Sequence, residues 1–145
     1  MVNPTNAELV AVHWLRSLGL APGIATSLPE RSSSFASHGF VRVAVVGGAP
    51  DIDTGRQANV IRLDSFAYAE GSRTPPFGKA ATILANVKAL VDGLQVHGRV
   101  TTPATFLDAR IMGAATVSDP QRVPDEGGMA HYTMSVQLWW VPIQA

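Results

Sequence analysis

Residues 130–141 alternate without a break. Ala130, Tyr132, Met134, Val136, Leu138 and Trp140 fall on one side, and His131, Thr133, Ser135, Gln137 and Trp139 on the other. Successive side chains of an extended strand point to opposite faces, so this period of two specifies a strand with one apolar and one largely polar face. Such a strand requires a sheet that buries the first face. The adjacent tryptophans must then part, one indole entering the core and the other standing on the opposite side. Trp139 is the apolar exception on that second face, where it either anchors a partner subunit or is covered by a helix laid over it.

The remaining chain supplies the layers around such a strand. Thr5 and Glu8 have the spacing of a capping box, and Ala7, Val10, Ala11, Trp14, Leu15 and Leu18 recur at helical spacing, which predicts a helix over 6–18. Gly19 is expected as its left-handed cap, with Pro22 as the stop beyond. A short strand is expected near 24–28, and the serines at 32–34 read as a loop or a single helical turn. The β-branched run at 40–46 is a strand ending at Gly47 and Gly48. Residues 49–56, rich in Pro, Asp and Gly, read as an exposed loop. Residues 58–68 form another strand, with Ile61, Leu63 and Ser65 on one side and Val60, Arg62, Asp64 and Phe66 on the other; the Arg62 and Asp64 side is polar or interfacial. A connector over 69–76 places a proline in the first turn of a second helix at 77–92, along which Ala80, Ile83, Leu84, Val87, Leu90, Val91 and Leu94 keep the helical period and Gly93 loosens the end. A strand near 106–117, a long loop over 118–128 and the closing strand complete the chain. That loop exceeds the two to five residues common in hairpins and is expected to project as an arm.

Together these elements make one α/β (α+β) domain over 1–145. Its core is a mixed, mostly antiparallel sheet of about four to five strands flanked by two main helices, in the order α-β-β-β-α-β-β. No repeat, low-complexity tract or linker divides it.

Several functional classes are disfavoured by composition. Eleven basic residues balance eleven acidic ones, which removes the electrostatic footprint of a nucleic-acid binder. Arg31, Arg42, Arg56, Arg62, Arg73, Lys79, Lys88, Arg99, Arg110 and Arg122 are dispersed and form no basic run. With no cysteine there is no disulfide scaffold, thiolate metal site or thiol nucleophile. The first 20 residues carry Glu8, His13 and Arg16 in an amphipathic pattern unlike a signal peptide, and no apolar run approaches the roughly 20 residues of a membrane span. The expectation is synthesis in the cytoplasm and no membrane partner. Charged residues make up 15% of the chain, against about 25% in ordinary soluble domains, so part of the exterior is expected to be covered by other subunits.

No catalytic constellation emerges. His13, His38, His97 and His131 lie on separate elements without metal-ligand spacing. Asp51 and Asp53 have D-x-D spacing, but the glutamate that would complete a calcium loop is missing, and a solvated loop explains them, as it does Asp125 and Glu126. Gly47 and Gly48 follow a strand without either phosphate-loop pattern, and Pro50 stands where a helix would begin. Ser65 and Ser135 lack the elbow that exposes a nucleophile. The expectation is therefore a non-enzyme with no catalytic, cofactor or metal residues.

The opening NAELVAVHWLRSL, the strand and loop GFVRVAVVGGAPD, the connector SRTPPFGKAATILA and the closing SVQLWWVPI appear in an order that resembles the tail terminator and related neck proteins of long-tailed bacteriophages, especially those infecting actinobacteria. The resemblance implies a structural virion protein of the tail and neck, assembled in the host cytoplasm into a homo-oligomeric ring, commonly a hexamer. Such a ring caps the tail tube and ends its elongation. It meets the tube protein on one face and a head-completion or connector protein on the other, with genomic DNA passing through the lumen without specific binding. A heterologous ring needs two different complementary surfaces on each subunit. The candidate interface residues are Asp51, Asp53 and Arg56 in the polar loop, Arg62 and Asp64 on the strand, Arg73 in the connector, Arg122 in the arm, and Trp139. Another head-tail connector or minor tail protein is the alternative within this class; a cytoplasmic small-molecule-binding domain or a hydrolase would change the class.

Overall fold

The computed structural model describes residues 4–20, 22–27, 35, 38–50, 57–69, 75–93, 98–102, 107–124 and 129–143. The elements are α1 (Pro4–Ser17), β1 (Gly23–Ala25), β2 (Phe40–Pro50), β3 (Gln57–Ala67), α2 (Phe77–Asp92), β4 (Gly98–Thr102), β5 (Leu107–Val123) and β6 (Ala130–Ile143). The expected class and element order are those found, with β4 as a further short strand after α2. All six strands join one sheet in the order β1-β2-β3-β6-β5-β4. Only β1 and β2 run parallel; every other pair is antiparallel.

Cross-strand register sorts the side chains into two faces. Val43, Leu63 and Met134 lie level with one another, as do Val45, Ile61 and Val136. These residues, with Val41, Ile111, Leu138 and Trp140, share one core with Ala7, Val10, Ala11, Trp14 and Leu15 of α1 and Ile83, Leu84, Val87 and Val91 of α2. Both helices therefore lie on the same face of the sheet. The helical spacing of the apolar residues is what permits this, since it gathers them into one stripe on each helix.

Two side-chain hydrogen bonds are built into this core. Trp140 is fully buried, and its Nε1 donates to Asn59 Oδ1 at 2.8 Å. Ser65, also fully buried, donates from Oγ to the Ala80 carbonyl at 2.8 Å and ties β3 to the first turns of α2. Each bond meets the requirement that a buried polar group find a partner.

Three expectations are corrected. α1 begins at Pro4, so Thr5 lies inside its first turn and does not cap it; a proline is well placed at a helix start because its missing N–H would be unbonded there. Gly19 does close α1 with a φ of 75°. Gly47 and Gly48 do not end β2, which continues to Pro50. They follow a bulge between Val45 and Gly47, and Gly48 adopts a φ of 102° where a Cβ would collide with the Ala58 carbonyl oxygen. Lastly, 118–123 do not form a projecting arm. They continue β5 alongside β6, with Ser118 opposite Ser135 and Val123 opposite His131, and Pro120 falls where the register shifts between Ser118 and Gln121. A bulge can hold a proline because the ladder is already interrupted there.

Candidate functional site

The face of the sheet opposite α1 and α2 has two ends that differ. At the Phe66 end it is aromatic and charged. Phe35, Phe40, Phe66 and Tyr68 form a second small core. Phe35 stacks on Phe40 at 5.7 Å and meets Tyr68 edge-on at 5.0 Å. His131 stacks on Phe66 at 4.3 Å, and Arg42 lies 5.0 Å from the centre of the same ring.

Asp64 is the hub of this end. It is 3% exposed, and its carboxylate meets His131 Nε2 at 2.8 Å, Arg62 Nε at 3.1 Å and Arg42 at 3.5 Å. Register explains the convergence, because Asp64 stands level with Arg42 on β2 and Thr133 on β6, with His131 one pair further along beside Phe66. Burial opposes the Asp64 charge, but the hydrogen bond to His131, the positive charge of Arg62 and a hydrogen bond from Thr133 outweigh it and hold the pKa below the usual carboxylate value. The ionised carboxylate only accepts hydrogen bonds, so His131 Nε2 carries the proton in this contact.

At the Trp140 end the same face presents Ala44, Ala58, Val60, Gln137, Trp139, Gly113 and Ala115. Trp139 is half-buried and level with Ala58 and Gly113. A Cβ on Gly113 would lie 3.8 Å from the indole Cε3, so the ring leans over a position with no side chain of its own. Arg62 stands level with Ala44, and the exposed Arg110, opposite Val141, borders the same end of this face.

The exposed large hydrophobic residues follow a pattern of their own. Val46, Met112 and Val117 are 51%, 41% and 56% exposed. Each falls at a shift of register, between Val45 and Gly47, Ile111 and Gly113, and Thr116 and Ser118. Sequence reasoning missed all three, because the position of a bulge depends on the partner strand.

The structure thus brings together Arg62, Asp64 and Trp139 on one face, with the first two joined in an ion pair. Arg122 lies on the other face, its guanidinium 3.6 Å from the centre of the Phe77 ring of α2. Asp51, Asp53, Arg56 and Arg73 lie outside the described residues, as do Asp125, Glu126 and His97. On the helix side, Lys88 binds Asp92 at 2.7 Å and approaches Asp119 at 3.8 Å, while Thr116 donates to Asp92 at 3.2 Å. The pairing raises the Lys88 pKa and lowers that of Asp92. A groove of about 410 Å³ runs between α2 and the α1–β1 connection, lined by Leu20, Pro22, His38, Lys79, Thr82 and Ile83 among others. His13 is half-buried, and burial together with the nearby Arg16 charge lowers its pKa. Among the described residues no three His, Asp or Glu side chains converge as metal ligands would.

No protein-family model matches the chain, and no curated protein is significantly similar to it.

Proposed function

We propose that this chain is a structural subunit of the tail end of a long-tailed bacteriophage, assembling into a ring that caps the tail tube, ends its elongation and joins tail to head. The sequence resemblance supplies the biological setting. The structural observation that carries the reading is Trp139, half-buried beside Ala58 and Gly113 on the sheet face away from α1 and α2. A tryptophan standing on the sheet face away from the main core is the residue type most favoured as an interface anchor. A low overall charge fits a subunit with part of its exterior covered.

Native mass spectrometry and electron microscopy of the purified protein, alone and with polymerising tail tubes, test this function. The expected outcome is a closed ring that binds tube ends and stops their growth. A chain that stays monomeric at all concentrations and leaves tube length unchanged refutes it. The small-molecule-binding alternative has one observation in its favour, the groove beside Leu20 and Ile83. Saturable binding of a metabolite there by a strictly monomeric protein would replace the ring reading.

A further inference from the structure

The ion cluster on the sheet face away from α1 and α2 holds more positive than negative charge. Arg42 on β2 stands level with Asp64, while Arg62 stands level with Ala44, so the two arginines are diagonal neighbours on that face. Long side chains at such positions reach one another, and like charges there repel. Asp64 lies between them and ion-pairs with both. With His131 counted as neutral, two positive charges against one negative leave a surplus of one. Among the described residues no other acid makes up the difference. Glu8 is on α1, Asp92 and Asp119 share Lys88 on the helix side, and Asp108 pairs with Ile143 at the far end of the sheet.

The hydrogen-bonding capacity is equally lopsided. An ionised carboxylate offers about four acceptor positions, and His131, Thr133, Arg62 and Arg42 approach the Asp64 carboxylate together. Arg62 reaches Oδ2 through Nε and Arg42 through one terminal nitrogen, whereas a guanidinium carries a fork of five N–H donors. Both side chains remain partly exposed, and Arg42 is also seated over the Phe66 ring. Arg16 and Arg122 differ: the first spends Nε and a terminal nitrogen on the Ile24 carbonyl, and the second lies over Phe77. A buried acid that holds two adjacent forks and neutralises one of them is arranged to position the pair.

We propose that Arg42 and Arg62, positioned by Asp64, form a recognition site for one carboxylate group, an Asp or Glu side chain of a protein partner laid beside Phe66. Arginine forks match carboxylate geometry in a bidentate contact. One surplus charge suits a monoanion. A phosphate group brings about −1.5 to −2 at neutral pH, and a nucleic-acid strand presents a run of charges to this single pair. The site stands whether or not the chain forms a ring.

The test follows the arginine Nε–H signals of the isotope-labelled protein by NMR at constant ionic strength. Acetate, inorganic phosphate and acetyl-glutamate amide serve as probes. Arg42 and Arg62 are expected to respond saturably to acetate, at concentrations about tenfold or more below those that move Arg16, Arg110 and Arg122. If all arginines move together, there is an adventitious ion only and the site is overturned. Phosphate saturating the pair at lower concentration than acetate overturns the carboxylate assignment. The glutamate probe is expected to bind at least as tightly as acetate; weaker binding overturns the protein side chain as the source. Asp64→Asn separates positioning from plain charge, since it raises the surplus to two. Loss of positioning is expected to weaken acetate binding about tenfold, whereas tighter binding overturns the role given to Asp64. Arg62→Gln, which keeps the Arg42–Asp64 pair, is expected to abolish saturation, and unchanged saturation overturns the proposal.

Discussion

Trp139 and Trp140 are adjacent in sequence and opposite in circumstance. Trp140 is fully buried beneath the helices with its indole N–H bound to Asn59. Trp139 is half-buried on the face away from α1 and α2 and leans over Gly113. One strand thus carries both a fully buried core residue and the centre of a candidate interface, at adjacent positions on its two faces. The difference lies in what covers each face, since the residue type is the same.

Substitutions can break that comparison. The largest expected effect is from Trp140→Ala, which leaves a cavity and strands the Asn59 amide. It should cost about 3–5 kcal/mol in urea unfolding of the monomer. Next is Asp64→Asn, which removes the charge that balances Arg42 and Arg62 and the acceptor that His131 meets. Because the two arginines are partly solvated, at 32% and 47% exposure, a loss of about 1–3 kcal/mol at neutral pH is expected. The same residue sets a pH dependence. The Asp64 pKa is lower in the folded than in the unfolded chain, so its contribution is complete above the unfolded value near 3.8 and is lost as pH falls through the lower folded value. Unfolding measured from pH 6 to pH 2 should show this acid loss in the wild type and less of it in Asp64→Asn. An identical acid limb would remove Asp64 from the account.

Ser65→Ala takes away the bond to the Ala80 carbonyl and should cost about 1 kcal/mol, with α2 amides near Ala80 exchanging faster in a hydrogen-exchange experiment. The smallest effect on the isolated chain is expected from Trp139→Ala, within about 1 kcal/mol. Its effect on subunit association should be about tenfold or more, measured by sedimentation. Should Trp139→Ala cost as much folded monomer as Trp140→Ala, the two faces would be equivalent and the interface reading would fail.

The parts of this structure legible in the sequence are those governed by local periodicity. The second helix occupies 77–92 as expected because its apolar stripe is regular and prolines precede it. The two faces of β6 follow directly from alternation. Features that depend on a partner strand were not legible. Gly47 and Gly48 look like a strand end unless β3 is known to run beside them through the bulge. Residues 118–123 carry Asp-Pro turn chemistry that pairing with β6 overrides. β4 has a single strongly apolar residue, Val100, in five, too little for a periodic signal. In the candidate site, the shared face of Arg62 and Asp64 was readable, whereas Arg42 and His131 reach Asp64 only through the register of β2 and β6.

The burial of the three tryptophans also equips the molecule with its own optical reporter. Trp14 and Trp140 are 1% and 0% exposed, which leaves Trp139 as the indole that solvent reaches. A collisional quencher such as iodide should therefore act on one emitter of the three in the free subunit. If copies cover that face on assembly, the quenchable fraction falls and the emission shifts blue as the ring forms, giving an association isotherm without any label.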